Sequence, residues 1–286
     1  MNGPHGRPGA ADLSASARDA PGARPDLFAV PRPVTGLEEC FFTHTIDLPG
    51  HGTIQGQWDL RPGLRDYTGH VEVAGKTVLD VGCASGFVSF ALEAMGAEVI
   101  AFDLAQGRDW DIPLYAGSER EFMGRLLDHH LQQIRSAFWF SHEALGSRTR
   151  LALGTADAIP EGIGPVDIAF LGIVLSHLRD PLRGLRGALR LTRETAVVTE
   201  VLPKRYGFLR YVPARLGLPM LLAPRAARRD QIQPWWILGP ETVREFLRML
   251  GFGESVVTFH HQPMLGQRRL CYTVVARRTE PTNPDL

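Results

Sequence analysis

From Lys76 onward, short apolar runs alternate with longer segments in which apolar residues recur at helical spacing. This alternation is typical of a parallel sheet that is covered by helices on both faces. The first five strands are predicted at 77–81, 98–103, 149–153, 166–171 and 195–200, with helices at 86–95, 118–145 and 181–191 between them. The pattern therefore predicts an α/β fold built on a mostly parallel sheet.

Proline and glycine residues mark the ends of the predicted helices. In SHLRDPLRGL, Asp180 suits an N-cap and Pro181 the first helical position, while Gly96 follows FALEAM as a C-terminal stop. A last helix begins at Pro240, carries its apolar residues on one face and stops at Gly251. Two further strands, at about 255–260 and 269–276, form a hairpin-like pair that brings the sheet to seven strands.

Three regions lie outside this alternation. Residues 1–30 are rich in Gly, Pro, Ala and Ser and lack the apolar core of a signal peptide, so we expect a disordered tail. Residues 31–75 form an N-terminal cap segment, and residues 76–280 form the main domain. Within that domain, residues 202–236 interrupt the pattern after the fifth strand. The cap and the insertion both emerge near the rim where an open α/β sheet binds ligands, which makes them candidate lids.

The overall charge favours no polyanionic partner for the whole molecule. The 286 residues carry 31 basic and 31 acidic side chains, so any anion binding must be local, and no apolar run is long enough to span a membrane. The cysteines Cys40, Cys83 and Cys271 are far apart and odd in number, which favours a reducing cytoplasm. Arginine nearly replaces lysine, which indicates a GC-rich bacterial genome.

The stretch KTVLDVGCASGFVSFALEAMGAEVIAFDL contains two acids that end apolar runs. Asp80 and Asp103 have the spacing of about twenty residues that a βαβ unit needs to hold a ribose. Gly82 and Gly86 suit a tight turn between strand and helix. Phe87 occupies the position where a dinucleotide loop needs a small residue against the pyrophosphate, so that ligand is disfavoured. A sugar joined to an amino acid stays compatible with the loop, and the alternative is a turn without a ligand.

The segment VLDVGCASG resembles the first motif of the class I S-adenosylmethionine-dependent methyltransferases, and GAEVIAFDL, GTADAIP and VDIAFLGIVLSHLRDP resemble later motifs in the same order. The resemblance implies a Rossmann-like fold with S-adenosylmethionine as the cofactor. Asp103 would hold the ribose hydroxyls, and Asp157 would lie beside the adenine, although GTADAIP is also an ordinary polar turn. The implied cofactor contacts are Trp58, Asp80, Gly82, Cys83, Ala84, Gly86, Asp103, Leu104, Asp157, Ala158, Leu171 and Gly172.

A narrower resemblance covers roughly residues 40–280. The segments HTIDLP, WDLRPG, FWFSHEALGS and VLSHLRDPL are similar to the subgroup that includes enzymes modifying the wobble uridine of tRNA. In that subgroup a segment before the first strand closes over the cofactor, which makes Gln57 and Trp58 candidates for its cover. Ala84 stands where a glycine is common. Ser176 stands where carboxymethyl-transferring relatives carry tyrosine, which disfavours a carboxylated cofactor.

Candidate catalytic residues follow the fourth and fifth strands. His177 lies just past an apolar strand, where a histidine can take a proton from a hydroxyl or amine near neutral pH. A helix-capping or core role for His177 is an equal alternative. His142 and His44 are weaker candidates for the base. Glu200 ends the fifth strand and either orients the substrate or is simply solvated.

Two pairs of adjacent histidines invite a metal interpretation. They are His129 with His130 and His260 with His261. Neighbouring residues do not share a face of a helix or strand, and no carboxylate or cysteine partner is spaced nearby. The sequence therefore predicts no metal site.

The insertion after the fifth strand mixes basic, aromatic and apolar residues. Its arginines, interleaved with Tyr206 and Tyr211, suit an RNA-binding surface. The apolar stretch LGLPMLLAP, followed by Trp235 and Trp236, fits better an amphipathic lid over a hydrophobic pocket. We therefore expect these four aromatic residues to contact a small, partly hydrophobic metabolite of specialised metabolism. The alternatives are tRNA as the methyl acceptor and a cofactor-binding protein without catalysis, and a homodimer is compatible with either.

Overall fold

The computed structural model describes residues 27–117, 120–228 and 234–281. Most of the predicted tail therefore lies outside the described residues. Its last residues, 27–30, lie against the sheet, because the Ala29 amide donates a hydrogen bond of 2.7 Å to the Leu151 carbonyl. The Arg150 guanidinium also lies 4.4 Å from the centre of the Phe28 ring. Contacts with the sheet thus begin before residue 31.

The strands and helices follow the predicted alternation. The strands are β1 (Ile46–Leu48), β2 (Gly52–Ile54), β3 (Thr77–Val81), β4 (Glu98–Asp103), β5 (Arg150–Leu153), β6 (Val166–Gly172), β7 (Thr192–Val201), β8 (Met220–Leu222), β9 (Trp236–Leu238), β10 (Glu254–Met264) and β11 (Gln267–Arg277). The α-helices are α1 (Leu64–Tyr67), α2 (Phe87–Ala94), α3 (Arg120–Leu145), α4 (Pro181–Leu189) and α5 (Pro240–Met249), and short 3₁₀ helices connect them.

The central sheet has seven strands in the order β10-β11-β7-β6-β3-β4-β5. Strands β3 to β7 pair in parallel, whereas β11 pairs antiparallel with both β7 and β10. This confirms the predicted α/β fold with a mostly parallel seven-stranded sheet. The winding direction reverses between β3 and β6, and open α/β sheets bind ligands at the carboxyl ends of the strands beside such a reversal.

Helices cover both faces of the sheet because each central strand is apolar on both sides. Val78 and Leu79 of β3 are both buried but point to opposite faces, as alternation along a strand requires. Leu79 packs in the core that includes residues of α4 and α5, and Val78 packs in the core that includes residues of α2 and α3. The sheet is therefore the middle layer of three.

The cap segment contains structure that the sequence pattern did not predict. β1 and β2 pair as a short hairpin, and α1 follows it. Trp58 is buried and forms isolated backbone bridges with His44 and Met264, which join the cap to β10. At the end of α1, the Thr199 hydroxyl of β7 donates a hydrogen bond of 2.7 Å to the Tyr67 carbonyl. The cap is thus attached to the sheet at several points.

The predicted lid, residues 202–236, consists mainly of 3₁₀ turns and the small antiparallel pair β8–β9. Its 3₁₀ helices span Lys204–Tyr211, Ala214–Leu216 and Ala226–Arg228, and residues 229–233 lie outside the described part. Within the described residues, no helix is long and apolar enough to cross a membrane.

Candidate cofactor and active site

The loop after β3 is held in left-handed backbone conformations. Gly82, Ala84 and Gly86 have φ values of 76°, 49° and 87°. A side chain at Gly82 would also collide with Val174, whose Cγ2 lies 2.5 Å from the position of a Cβ atom. Glycine is therefore required at Gly82 by conformation and by space, whereas Ala84 adopts the left-handed region with a Cβ atom. The loop after β3 and the loop after β6 are in contact.

Asp103, at the end of β4, points its carboxylate at this loop. One carboxylate oxygen accepts a hydrogen bond of 2.7 Å from the Ala84 amide, and the other accepts one of 2.7 Å from the Leu104 amide. Arg135 of α3 supports the turn by donating to the Leu104 carbonyl at 2.8 Å. Burial raises the pKa of Asp103, while the two amides and the Arg135 charge oppose that shift. Asp80 near the end of β3 and Asp103 at the end of β4 thus lie at neighbouring strand ends.

Asp80 is buried beneath the loop rather than exposed in it. The Ser89 hydroxyl of α2 donates a hydrogen bond of 2.5 Å to its carboxylate, so Asp80 fixes the first turns of the helix that follows the loop. Burial raises the pKa of Asp80 to about 7, and the nearby Asp103 charge adds to the shift. Asp80 therefore shapes the loop from below.

A small cavity lies at the carboxyl ends of β3 and β6. Its volume of about 10 Å³ is that of about one water molecule. It is lined by His44, Tyr67, Asp80, Gly82, Cys83, Val88, Phe170 and Gly172. Four of these residues were predicted from the sequence to contact a cofactor, and the structure brings them together. His44 and Tyr67 come from the cap, where no strand or helix pattern marked them.

After β5, Asp157 lies in the middle of a 3₁₀ helix, Ala156–Ala158, that packs on α4. Asp157 forms an ion pair with Arg183 at 3.2 Å. Gly187 of α4 leaves no space for a side chain, because a Cβ atom would lie 1.9 Å from the Ala156 carbonyl oxygen. Asp157 and Ala158 are exposed at the same sheet edge as Asp103. Helix α4 therefore sets the position of this loop.

Glu200, near the end of β7, lies beside the 3₁₀ turn after β6 that carries His177. Glu200 is 1% exposed, and its carboxylate accepts a hydrogen bond of 3.1 Å from the Ser176 amide. Burial raises the pKa of Glu200 to about 7, although this hydrogen bond opposes the shift. Burial lowers the pKa of His177, which leaves the imidazole neutral at pH 7. The structure thus rules out the solvated alternative for Glu200, which supports the turn that carries His177.

The structure does not bring His142 to this site. Its Nε2 lies 3.1 Å from the Thr149 carbonyl, just before β5 begins, and its ring stacks against Phe138. His142 therefore lies at the amino ends of the strands, opposite the carboxyl ends described above. His142 is therefore removed from the candidate bases. Leu171 has a fully buried side chain in the sheet, so only its backbone is available to a ligand.

The two tryptophans of the lid connect three loops. The Trp235 indole donates to the Asp111 carbonyl at 2.7 Å, and the Trp236 indole donates to the Arg179 carbonyl at 3.1 Å. Arg179 in turn forms an ion pair with Asp111 at 3.3 Å and lies over the Trp235 ring. The end of the lid is thus fastened to the loops after β4 and β6. Sequence reasoning identified the tryptophans but not their partners.

The other two predicted substrate contacts differ in exposure. Tyr206 is half-buried and packs against the main core, whereas Tyr211 is 72% exposed beneath the Arg210 guanidinium.

Of the two pairs of adjacent histidines, the one on β10 has its own hydrogen-bond partners. The His260 ring is hydrogen-bonded to Thr273 at 2.9 Å and to Gln262 at 3.0 Å. No three His, Cys, Asp or Glu side chains come together as a metal site in the part of the chain that the structure describes.

The donor set at the loop fits the adenosyl and amino-acid parts of S-adenosylmethionine. Phe87 begins α2 at the position where a dinucleotide loop needs a small residue, which disfavours a diphosphate. A carboxylate beside a left-handed loop suits two ribose hydroxyls. The polar atom His44 Nδ1 is buried and, among the described residues, has no hydrogen-bond partner.

No protein-family model matches the sequence, and no curated protein sequence matches it. Solved structures with similar folds include the N-terminal domain of EvdMO1 in the presence of SAH and D-fucose, with a TM-score of 0.48 and 15% identity over 85% of this chain and 92% of that chain. The magnesium protoporphyrin IX methyltransferase of Synechocystis PCC 6803 with bound SAH has a TM-score of 0.44 and 15% identity to this chain. That match covers 72% of this chain and 75% of the other.

The 1,6-didemethyltoxoflavin-N1-methyltransferase of Burkholderia thailandensis, with its bound 1,6-didemethyltoxoflavin and S-adenosylhomocysteine, gives a TM-score of 0.45 and 17% identity. That match covers 77% of this chain and 78% of the other. These are similarities of fold at low identity. What the site binds and does therefore has to follow from this chain's own residues.

Proposed function

We propose that this protein is an S-adenosylmethionine-dependent methyltransferase whose acceptor is a small, partly hydrophobic molecule. The observation that carries the proposal is the pairing of the Asp103 carboxylate with the left-handed loop at Ala84. The pair offers a carboxylate to sugar hydroxyls and an uncharged loop to an amino acid, at the edge where such sheets bind ligands. Phe87, which stands where a dinucleotide loop needs a small residue, argues against a diphosphate ligand.

The order of the strands sets the order of the proposed contacts. Asp157 at the end of β5 would lie beside adenine, Asp103 at the end of β4 would hold the ribose, and His177 after β6 would face the acceptor. When bound, the cofactor supplies an activated methyl group. The chain's own tasks are then to orient the acceptor, exclude water and accept a proton. His177 suits the last task because its imidazole is neutral at pH 7.

The lid supports a small, partly hydrophobic acceptor. Leu209 is buried, Tyr206 and Trp236 pack against the main core, and Trp235 closes over the loops after β4 and β6. Apolar walls with a few polar groups are typical of small-molecule sites. Excluding water there would protect the reaction.

A second candidate acceptor is tRNA, and one observation favours it. Phe208 and Tyr211 are 57% and 72% exposed, and they lie in a segment with Lys204, Arg205 and Arg210 on the surface. Exposed aromatic rings beside basic side chains suit base stacking and phosphate contacts. Under this alternative the same cofactor site would serve a larger acceptor.

Two measurements test the proposal. Calorimetric titration with S-adenosylhomocysteine should show one site per chain, and the absence of binding would overturn the cofactor assignment. Transfer of a labelled methyl group should then be measured against separate small-molecule and RNA fractions of a bacterial extract. Label in small molecules supports the proposal. Label in RNA, with binding that weakens steeply with salt, supports the second candidate, and binding without any transfer supports a non-catalytic protein.

A further inference from the structure

The lid has an inner side that packs on the core and an outer side that exposes large apolar residues. On the inner side, Leu209 is buried and Val212 packs against the main core. The apolar side chains on the outer side are between 43% and 73% exposed, and they are Phe208, Tyr211, Leu216, Leu218 and Leu222. Single exposed apolar residues are ordinary on a protein surface, but a concentration of them marks a surface that contacts a partner.

The same segment carries positive charge only. Between Glu200 and Asp230 the sequence contains seven basic residues and no acidic residue, in a chain whose net charge is zero. The exposed basic residues among the apolar side chains are Lys204, Arg205, Arg210 and Arg215. The Arg210 guanidinium lies 4.5 Å from the centre of the Tyr211 ring, so charge and apolar surface are in direct contact. We call these four basic and five apolar residues the outer face of the lid.

An anionic lipid bilayer matches both properties of the outer face, whereas RNA matches only one. A nucleic acid offers phosphates to basic groups and bases that stack on aromatic rings. Leu216, Leu218 and Leu222 are aliphatic, and they gain nothing from either. In a bilayer, apolar side chains enter the boundary between headgroups and acyl chains while basic side chains contact anionic headgroups. The three leucines therefore favour a lipid surface over RNA.

A second copy of the chain fits the outer face less well. In a symmetric dimer the same patch meets itself, so the guanidinium groups of Arg210 and Arg215 in the two copies would approach one another. Like charges at an interface oppose association unless carboxylates separate them, and this segment supplies none.

The outer face adjoins the rim that holds the candidate active site. The lid leaves the sheet at the end of β7, just after Glu200. Near its other end, the Trp235 amide donates a hydrogen bond of 2.8 Å to the carbonyl of Ser176, the residue before His177. Docking through the outer face would bring this rim to the lipid surface, where partly hydrophobic molecules concentrate.

We propose that the outer face of the lid docks the protein on anionic lipid bilayers. Leu216 and Leu218 enter the boundary of the bilayer, and Arg210 and Arg215 contact the headgroup phosphates. The docking is peripheral and reversible, and it does not depend on which cofactor the site binds.

Vesicle sedimentation with the full chain tests this docking. The protein should bind phosphatidylcholine vesicles that contain about 30% phosphatidylglycerol at least about tenfold more tightly than vesicles of phosphatidylcholine alone, and salt should weaken the binding. The double variant Arg210→Gln with Arg215→Gln should bind the anionic vesicles about tenfold more weakly than wild type. The double variant Leu216→Gln with Leu218→Gln should lose a similar factor, because its side chains no longer enter the bilayer.

The matched controls remove an exposed leucine and an exposed arginine elsewhere. They are Leu126→Gln on α3, where the side chain is 50% exposed, and Arg148→Gln before β5, where it is 92% exposed. Both should bind vesicles as wild type does. Urea denaturation should show stability close to that of wild type for all four variants, because only exposed side chains are replaced.

Equal binding to neutral and anionic vesicles, or binding to neither, would overturn the inference. Wild-type vesicle binding by the leucine double variant would also overturn it, and binding of bulk tRNA that depends on the arginines alone would then assign the outer face to RNA. A dimer that dissociates in the leucine double variant, measured by analytical ultracentrifugation, would assign the face to a second copy instead. These readouts do not involve S-adenosylhomocysteine, so failure of the proposed function is measured separately.

Discussion

The Asp103 carboxylate and the Ala84 amide are joined by a hydrogen bond of 2.7 Å that connects the end of β4 to the loop after β3. Ala84 has a φ of 49°, a conformation that residues with a Cβ atom rarely adopt. A charge-assisted hydrogen bond helps to hold that conformation. The same carboxylate that shapes the loop is therefore the group assigned to the ribose, which gives Asp103 two separable roles.

Substitutions at Asp103 should separate these roles. Asp103→Asn keeps one oxygen for the Ala84 amide but loses the acceptor of the Leu104 amide and the charge offered to the sugar, so S-adenosylhomocysteine binding should weaken by about tenfold and the free energy of unfolding should fall by about 1 kcal/mol. Asp103→Ala should weaken binding further and also lower the free energy of unfolding by about 1–2 kcal/mol, because the loop amides lose their partner. Calorimetry and urea denaturation measure the two effects.

The matched control is Glu98→Gln at the opposite end of the same strand, where the carboxylate pairs with Arg150 at 2.9 Å on the surface. It should leave ligand affinity unchanged. Wild-type affinity in Asp103→Asn would show that the carboxylate serves the loop alone.

Gly187 should control the loop at the end of β5 without touching a ligand. A methyl group there would lie 1.9 Å from the Ala156 carbonyl oxygen, so either α4 or the Asp157 loop has to move. Gly187→Ala should lower the free energy of unfolding by about 1–3 kcal/mol and weaken S-adenosylhomocysteine binding. Urea denaturation and calorimetry measure these changes.

Gly124→Ala on α3 is the control, because a Cβ atom at Gly124 would have nothing within 4 Å. It should stabilise the protein by up to about 1 kcal/mol through helix propensity. A neutral effect of Gly187→Ala would mean that the packing of α4 on the loop relaxes freely.

Glu200 should make the stability of the protein depend on pH. Its pKa is raised to about 7 in the folded protein, so folding favours the protonated form. Its contribution is therefore fully present below pH 4.5, its ordinary pKa, and is lost as the pH rises towards 7. When the pH is raised from 5 to 8, the free energy of unfolding of Glu200→Gln should fall by about 2 kcal/mol less than that of wild type. Urea denaturation at both pH values measures these free energies. An equal change with pH in Glu200→Gln and wild type would contradict the raised pKa of Glu200.

The main sheet could be predicted from the sequence because its strands are buried on both faces. The four residues between the terminal acids of β4 are all apolar and buried, and the predicted bounds 98–103 coincide with the observed strand. The cap could not be predicted in this way, since β1 and β2 have only three residues each and show no clear period.

The site residues divide for a similar reason. Asp80, Gly82 and Asp103 are close in sequence, so their spacing was enough to predict that they lie at neighbouring strand ends. Tyr67 contacts the end of β6 across more than a hundred residues, and no local pattern records that contact. The sequence made His142 a candidate base, but the structure places it beside Thr149, at the amino ends of the strands and away from the loops at their carboxyl ends.

His177 should affect turnover and not cofactor affinity. If its neutral imidazole accepts the acceptor's proton, His177→Gln should lower the rate of methyl transfer by about a hundredfold or more. S-adenosylhomocysteine should still bind within about twofold of wild type, because His177 follows β6, whereas the proposed ribose and adenine contacts lie at β4 and β5. His142→Gln, at the opposite sheet edge, is the matched control and should keep wild-type turnover. Labelled methyl transfer to the acceptor fraction measures the rate, and wild-type turnover in His177→Gln would mean that the acceptor reacts without a protein base.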